Sequence, residues 1–191
     1  MPDASLTKLA LSQAMKELLA ERPLEKIRVA DITERCKLNR QTFYYHFKDK
    51  YDLVHWIFYT EFLADIQGSF ESFGWELIER ICDYFYRNRA FYRNALSVRG
   101  QNSFTDYFDE VLHQLILSTC QEIYPNADDK HHQFYATFLA DAIRVAITRW
   151  LFTGAEMEPP EFVALLRSAA TGLAVHVIQE AEQEVAADGE D

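Results

Sequence analysis

The chain has 191 residues, 49% of them hydrophobic, which is enough for a substantial core and too apolar for wholesale disorder. Its net charge is −11 but uneven: residues 1–55 hold ten Lys and Arg against eight Asp and Glu, and residues 56–191 hold nine against 22. No run of 18 apolar residues occurs and Met1–Ser5 lacks the basic start and apolar block of a leader, so the chain is expected to be cytoplasmic, with no membrane span. Cys36, Cys82 and Cys120 are odd in number and lack metal-ligand spacing, as expected of reduced thiols.

Six Gly, five Pro and long helical periodicities predict an all-α protein. The first helix is expected over about Ser5–Glu21, with Ser5 as N-cap and an apolar stripe at Leu6, Leu9, Ala10, Ala14 and Leu18, ending before Pro23. Leu24 and Ile27 are expected to pack the connection. Residues 28–47 then read as two short helices, Val29–Cys36 and Arg40–Phe47, with Asn39 capping the second. A long fourth helix is expected over about 50–71. Further helices are expected at about 75–88, 89–98, 103–123, 129–153 and 160–184, with breaks at Gly74, Gly100, Pro125-Asn126 and Pro159-Pro160. This divides the chain into a head, residues 1–51, and a helical body, residues 52–191.

The helix-turn-helix at 28–47 carries the chemistry. Ile32, Leu38, Phe43 and Phe47 are spaced to lock its two helices together. The other side of the second helix offers Arg40, Gln41, Thr42 and Tyr44 as groups for base edges. Arg pairs bidentately with guanine, Gln with adenine, and the Thr methyl meets that of thymine. Tyr45, His46 and Lys50 are expected to hold phosphate, which fixes register without reading sequence. The start of the first of the two helices, at Arg28 and Val29, offers unpaired amides and a favourable dipole to an anion, with Lys26 adding charge.

Ile27-Arg28-Val29-Ala30-Asp31-Ile32, then Leu38-Asn39-Arg40-Gln41-Thr42-Phe43-Tyr44-Tyr45-His46-Phe47, then Lys50-x-x-Leu53, resemble the head of TetR-family transcriptional regulators over residues 5–55. Two positions depart from that pattern. Lys37 stands where members usually carry Gly, so a left-handed turn there costs on the order of 1 kcal/mol, and Lys37 is expected to add a phosphate contact. Arg28 stands where members often carry a Thr or Ser cap, whose loss costs about 1 kcal/mol.

The resemblance implies a helical regulatory body that dimerises and often binds a small ligand. Phe91–Leu96 with Gly100–Phe104, and Ile143-x-x-x-Ile147-x-x-Trp150-Leu151-x-x-Gly154, further resemble a subgroup close to regulators of dihydroxyacetone kinase genes. From the residues themselves, Phe138, Ile143, Ile147 and Trp150 on one helix and Leu166, Ala169, Leu173 and Val177 on the next recur at helical spacing. Together they suggest a four-helix interface between two copies. Phe85, Phe91, Tyr92, Phe104 and Tyr107, with Arg93, Asn102 and His113, are candidates to line a ligand pocket, plain core being the alternative.

The expected partners are therefore double-stranded DNA carrying a pseudo-palindromic operator, a second copy of the chain, and a small effector or partner protein. Repression is the default for the architecture, with activation as its alternative. A helical metal enzyme is a rival reading, because Glu110 and His113 have the spacing of di-metal bundles. No second such motif, phosphate-binding Gly-rich loop or nucleophile elbow accompanies them, so no catalytic residue, metal or cofactor is assigned. A protein-binding adaptor is a third reading.

Overall fold

The computed structural model describes residues 4–64, 74–98, 100, 102–123 and 125–172. They form helices α1 (Ala4–Glu21), α2 (Val29–Arg35), α3 (Arg40–His46), α4 (Lys50–Phe58), α5 (Trp75–Arg87), α6 (Arg89–Ala95), α7 (Phe104–Ile123) and α8 (Asp129–Phe152), then α9 over residues 159–172. A 3₁₀ turn at Leu24–Lys26 leads into α2, and α4 continues into a π-helical turn at Tyr59–Leu63. The all-α expectation holds. The end of the expected fourth helix and the chain beyond residue 172, with Leu173 and Val177, lie outside the described residues.

Helix α1 turns a different face inward from the one expected. Leu6 and Leu9 are exposed, and Thr7, Leu11, Ala14, Met15, Leu18 and Leu19 are buried. The helical period accounts for this result: a two-turn step of seven joins Leu18 to Leu11 and Ala14 to Thr7, whereas repeated steps of four from Ala14 to Ala10 and Leu6 drift around the helix. The helix is already formed at Ala4, so Ser5 lies inside its first turn and does not cap it.

The head closes around Ile32, Phe43, Phe47, Leu24 and Ile27, all buried, with Leu38 packed against them. No side chain caps α2. Instead the Asp31 carboxylate reaches back to accept the Arg28 backbone N–H at 2.8 Å. That hydrogen bond, assisted by the guanidinium groups of Arg28 and Arg22 3.3 and 3.4 Å away, holds the Asp31 pKa below the usual carboxylate range although burial opposes it. At its other end α2 stops in a Schellman motif. The Leu38 N–H bonds to the Thr33 carbonyl at 2.8 Å and the Lys37 N–H to that of Glu34 at 3.2 Å. The motif requires a left-handed residue, and Lys37 fills it at φ 55°.

The body continues the same core. Asn94 on α6 donates to the Leu19 carbonyl of α1 at 2.9 Å, and α7 and α8 pack lengthwise on one another. Phe58 on α4 stands with its ring centroid 5.4 to 6.0 Å from those of Phe85, Tyr92, Phe104 and Phe108. Pro159 and Pro160 form the first positions of α9, where a missing N–H costs nothing.

Lys37→Gly is expected to raise stability by about 1 kcal/mol, by relieving the left-handed Lys, as read by urea unfolding. Because the Asp31 pKa is depressed on folding, its contribution is complete above the unfolded value and is lost as the pH falls through the folded one. The melting temperature should therefore drop on acidification below about pH 4. Asp31→Asn should lower it at neutral pH and flatten that drop; wild-type acid sensitivity in the variant would take the carboxylate out of this role.

Candidate nucleic-acid interface

Seven residues are too few for a helix to persist alone in water, so α3 depends on what holds it. Asn39 caps its start, the Oδ1 atom accepting the Thr42 backbone N–H at 2.7 Å and the Thr42 hydroxyl at 2.9 Å. Phe43 is wholly buried, and its ring lies 5.8 Å from that of Phe47, which in turn meets Trp56 of α4 at 5.7 Å. The Lys8 ammonium stands 5.6 Å from both the Phe47 and Trp56 rings. One side of α3 is thus fixed inward.

The other side is consequently outward. Arg40 and Gln41 are exposed, and Thr42 is half-buried with its hydroxyl held by Asn39. Tyr44 is 59% exposed and Tyr45 83% exposed. The Tyr44 ring is braced edge-on by Phe43 at 5.5 Å, and that of Tyr45 by His46 at 4.9 Å, so both rings project with limited freedom. The four residues expected to read bases lie together on this one helix. Their chemistry (a guanidinium, an amide, a methyl-bearing hydroxyl and a phenol) suits base edges in a groove wide enough for a helix.

Of the residues expected at phosphate, Lys26, Arg28, Lys37 and Tyr45 are exposed, His46 is half-buried, and Val29 opens α2, with the Arg28 N–H before it already taken by Asp31. Arg28 shares Asp31 with Arg22. Lys50 is placed otherwise. Its Nζ donates inward to the carbonyls of Leu24, Ile27 and Glu25 at 2.7, 2.9 and 3.2 Å, and burial lowers its pKa. An ammonium has three N–H donors, so none remains for phosphate. Lys48, two residues earlier, is exposed beside the end of α3, a position the sequence reading did not single out. The signal was available: in Lys48-Asp49-Lys50, Asp49 caps α4, accepting the N–H groups of Tyr51 and Asp52 at 2.8 and 2.9 Å, which leaves Lys48 outside the helix.

In the body, several expectations change. Ile143, Ile147 and Trp150 are buried within their own chain and cannot meet a second copy. Trp150 stacks on Phe162 at 4.8 Å and donates its indole N–H to the Met157 carbonyl at 3.0 Å. Phe138 is exposed, as are Phe134, Val145 and Phe152 on the same side of α8. On α9, Ala169 is exposed and Leu166 half-buried, with Leu165 exposed beside them.

The expected pocket residues divide likewise. Phe85, Phe91, Tyr92 and Phe104 are buried and face other rings, Phe85 lying 4.3 Å from Tyr92. Among the described residues they form part of the packed core. Arg93 is exposed, its guanidinium 5.9 Å from the Phe152 ring. Tyr107 stacks on His55 at 4.4 Å, and burial holds His55 below its ordinary pKa. Asn102 borders a cleft of about 170 Å³ with Lys48, Asp49, Asp52 and His55. His113 borders another of about 280 Å³ with Asp109, Glu110, Thr137, Ala140 and Asp141. Among the described residues no group of three or more His, Cys, Asp or Glu side chains is arranged to hold a metal, and no helix is long and apolar enough to cross a membrane.

The chain matches two family patterns. Residues 11–57 match that of bacterial regulatory proteins of the tetR family, and residues 75–172 that of a transcriptional regulator C-terminal region. It is 28% identical over 153 residues to the HTH-type dhaKLM operon transcriptional activator DhaS of Lactococcus lactis subsp. lactis (strain IL1403), covering 78% of this chain and 81% of that one. The fold is similar to that of the dihydroxyacetone kinase operon activator DhaS, with a TM-score of 0.61 at 24% identity over 85% of this chain and 95% of the other. It is also similar to NalD, the secondary repressor of the MexAB-OprM multidrug efflux pump in Pseudomonas aeruginosa. There the TM-score is 0.59 at 14% identity, over 86% and 94% of the two chains. An outward polar helix on a buried aromatic anchor, a helical body continuous with it, and matches on both sides of residue 60 lead to one conclusion: the chain belongs to the TetR family of transcriptional regulators and binds DNA through its N-terminal helix-turn-helix.

Proposed function

We propose that the protein is a cytoplasmic homodimer that recognises a pseudo-palindromic operator and is controlled through its body by a small molecule or a partner protein. The observation that carries this reading is the sidedness of α3: Phe43 and Phe47 are buried, and Arg40, Gln41, Tyr44 and Tyr45 are exposed on the same seven-residue helix and its cap. In it, Arg40, Gln41, Thr42 and Tyr44 read base edges. Lys26, Arg28, Val29, Lys37, Tyr45 and His46 hold phosphate, with Lys48 taking the place expected of Lys50.

One recognition helix offers too little surface for tight specific binding, so a second copy is needed. Support for it comes from α8, where Phe134 and Phe138 are 66% and 63% exposed and stack at 6.4 Å. Contiguous exposed aromatics of this kind mark association surfaces. Control through the body is supported by a chain of polar contacts reaching the head. The Tyr92 hydroxyl donates to that of Tyr84 at 3.0 Å, Tyr84 donates to Glu61 at 3.0 Å, and Glu61 pairs with Lys16 of α1. Repression by occlusion of a promoter is the reading of the architecture. Activation is favoured by the likeness to a protein described as an operon activator.

Selection from a random duplex pool tests the reading directly. It should enrich an inverted repeat with half-site centres about 10 bp or a multiple apart; a pool that stays random, or salt-independent binding, would overturn it. Gln41→Ala should relax preference at one base position at a cost of roughly 1–3 kcal/mol, whereas Tyr45→Phe should weaken binding to all sequences alike. Phe138→Glu should shift the molecule from dimer to monomer in light scattering and weaken operator binding with it. A variant that stays dimeric would move the interface away from the outer side of α8.

A further inference from the structure

We infer that Lys50 is a positioning residue for DNA recognition: its ammonium clasps the turn that leads into α2, and so closes the helix-turn-helix at its base and sets the height of α3 above the groove. This rests on the DNA-binding reading above.

The chemistry begins with a misfit. Lys50 is the first residue of α4, where the positive end of the helix dipole disfavours a cation. It is also only half-exposed, and desolvation disfavours a charge further. A lysine persists in such a place when strong acceptors converge on it. Here the acceptors are three backbone carbonyls at the end of the 3₁₀ turn, those of Leu24, Glu25 and Ile27, at 2.7, 3.2 and 2.9 Å. Carbonyls at the end of a helical turn carry partial negative charge and have a lone pair to spare, that of Leu24 accepting the Ile27 N–H as well, so the ammonium and the turn satisfy one another. Glu25 and Asp49 add charge of the favourable sign, and the ammonium lies 5.2 Å from the Tyr51 ring.

The positions joined matter as much as the bonds. Residues 24 to 27 precede α2 immediately, Arg28 being its N-cap. Residue 50 follows α3 after the Lys48-Asp49 link. One side chain thus fastens the two ends of the 28–47 unit together. Both short helices hang from those ends, and neither could hold its own height without them. A lysine suits the role because a compact ammonium points three donors at carbonyls converging on one point; a planar guanidinium fork does not.

Three roles for Lys50 are separable by measurement on the full-length dimer at about 10 °C, below the melting transition. Lys50→Met and Lys50→Arg would each be titrated with a selected operator and an unrelated duplex at several salt concentrations. The clasp predicts that both variants lose operator affinity by about tenfold or more, because hydrogen bonds to a charged group are broken. Binding to the unrelated duplex and the slope against salt should stay as in the wild type. A direct phosphate contact predicts instead that Lys50→Arg binds as the wild type does. In that case Lys50→Met would weaken both duplexes together, with the salt slope reduced by about one. A purely structural lysine predicts lower melting temperatures with both affinities intact. Either of the last two results overturns the inference.

A second readout needs no DNA. The Lys26 and Ile27 amides are bonded within the turn at 3.0 and 3.1 Å and should be protected from hydrogen exchange. Loss of the clasp should speed their exchange about tenfold or more in either variant. Unchanged exchange would remove the clasp whatever the DNA data show. Absence of DNA binding by the wild type, with exchange altered as expected, would remove the function reading and leave the clasp as a property of the head alone. Should Lys50→Met fail to fold, Lys50→Arg carries both comparisons.

Discussion

The burial of Phe43 and Phe47 is the interaction on which the DNA-facing surface depends. Helix α3 has two turns and no stability of its own, so its orientation is whatever its two anchored rings dictate. With Phe43 at zero exposure and Phe47 against Trp56, Arg40, Gln41, Tyr44 and Tyr45 are turned outward and Thr42 and His46 lie at the margin, half-buried. Replacing either ring by a small side chain would remove several kcal/mol of packing, of the order of 3–5 for Phe→Ala, and would release the recognition face. A polar surface of this kind is therefore a consequence of a hydrophobic one a few ångströms behind it.

Charge acts by pairing rather than by count. The head carries only two more cations than anions, which alone would give little attraction to phosphate. Many of those cations are occupied, however: Arg35 with Glu21 and Glu17, Arg22 and Arg28 with Asp31, Lys16 with Glu61, and Lys50 with three carbonyls. Among the described residues, no side-chain ion pair holds Lys37, Arg40 or Lys48, although the Asp52 carboxylate accepts the Lys48 backbone N–H at 2.9 Å; these three cations lie just before, on and just after α3. These cations beside the recognition helix can meet a phosphate backbone, while residues 56–191 carry a net negative charge that repels it.

The parts legible in the sequence were those set by local rules. The Asn39 cap, the buried Phe43 and Phe47 and the exposed face beside them follow from neighbours within a turn or two, which spacing encodes; the left-handed turn at Lys37 followed from the family resemblance, whose members usually carry Gly there. The parts that were not legible depend on what packs from afar. Periodicity marked Ile143, Ile147 and Trp150 as apolar but could not say whether α7, α9 or a second copy would cover them; the chain's own helices do. The aromatic residues of the body looked equally suited to a pocket and to a core, and ring-to-ring distances near 5 Å place Phe85, Tyr92 and Phe104 in the core. Lys50 read as a surface cation because its acceptors are backbone atoms 23 to 26 residues away, which no side-chain pattern records. The π-helical turn at Tyr59–Leu63 has no local sequence signature either.

Helix α4 constrains how a signal from the body can reach DNA. At its start Lys50 holds the turn before α2; beyond its end, in the π-helical turn, Glu61 holds Lys16 of α1 and the Tyr84–Tyr92 pair of the body. Between them Leu53, Val54, Ile57 and Phe58 are all buried, so the helix cannot rotate by small degrees without repacking against α1, α7 and the aromatic cluster. Close-packed contacts of this kind have few alternative arrangements, and their response is stepwise rather than graded. An effector that shifts the Glu61 end must therefore supply enough differential binding energy to move the whole rod between discrete positions, typically 1–3 kcal/mol of coupling. A π-helical turn suits that junction, because a local excess of one residue per turn can be gained or lost without breaking the helices on either side. In the proposed dimer, the same stiffness that keeps α3 at a fixed height in one state would carry it, with its mate in the second copy, to another.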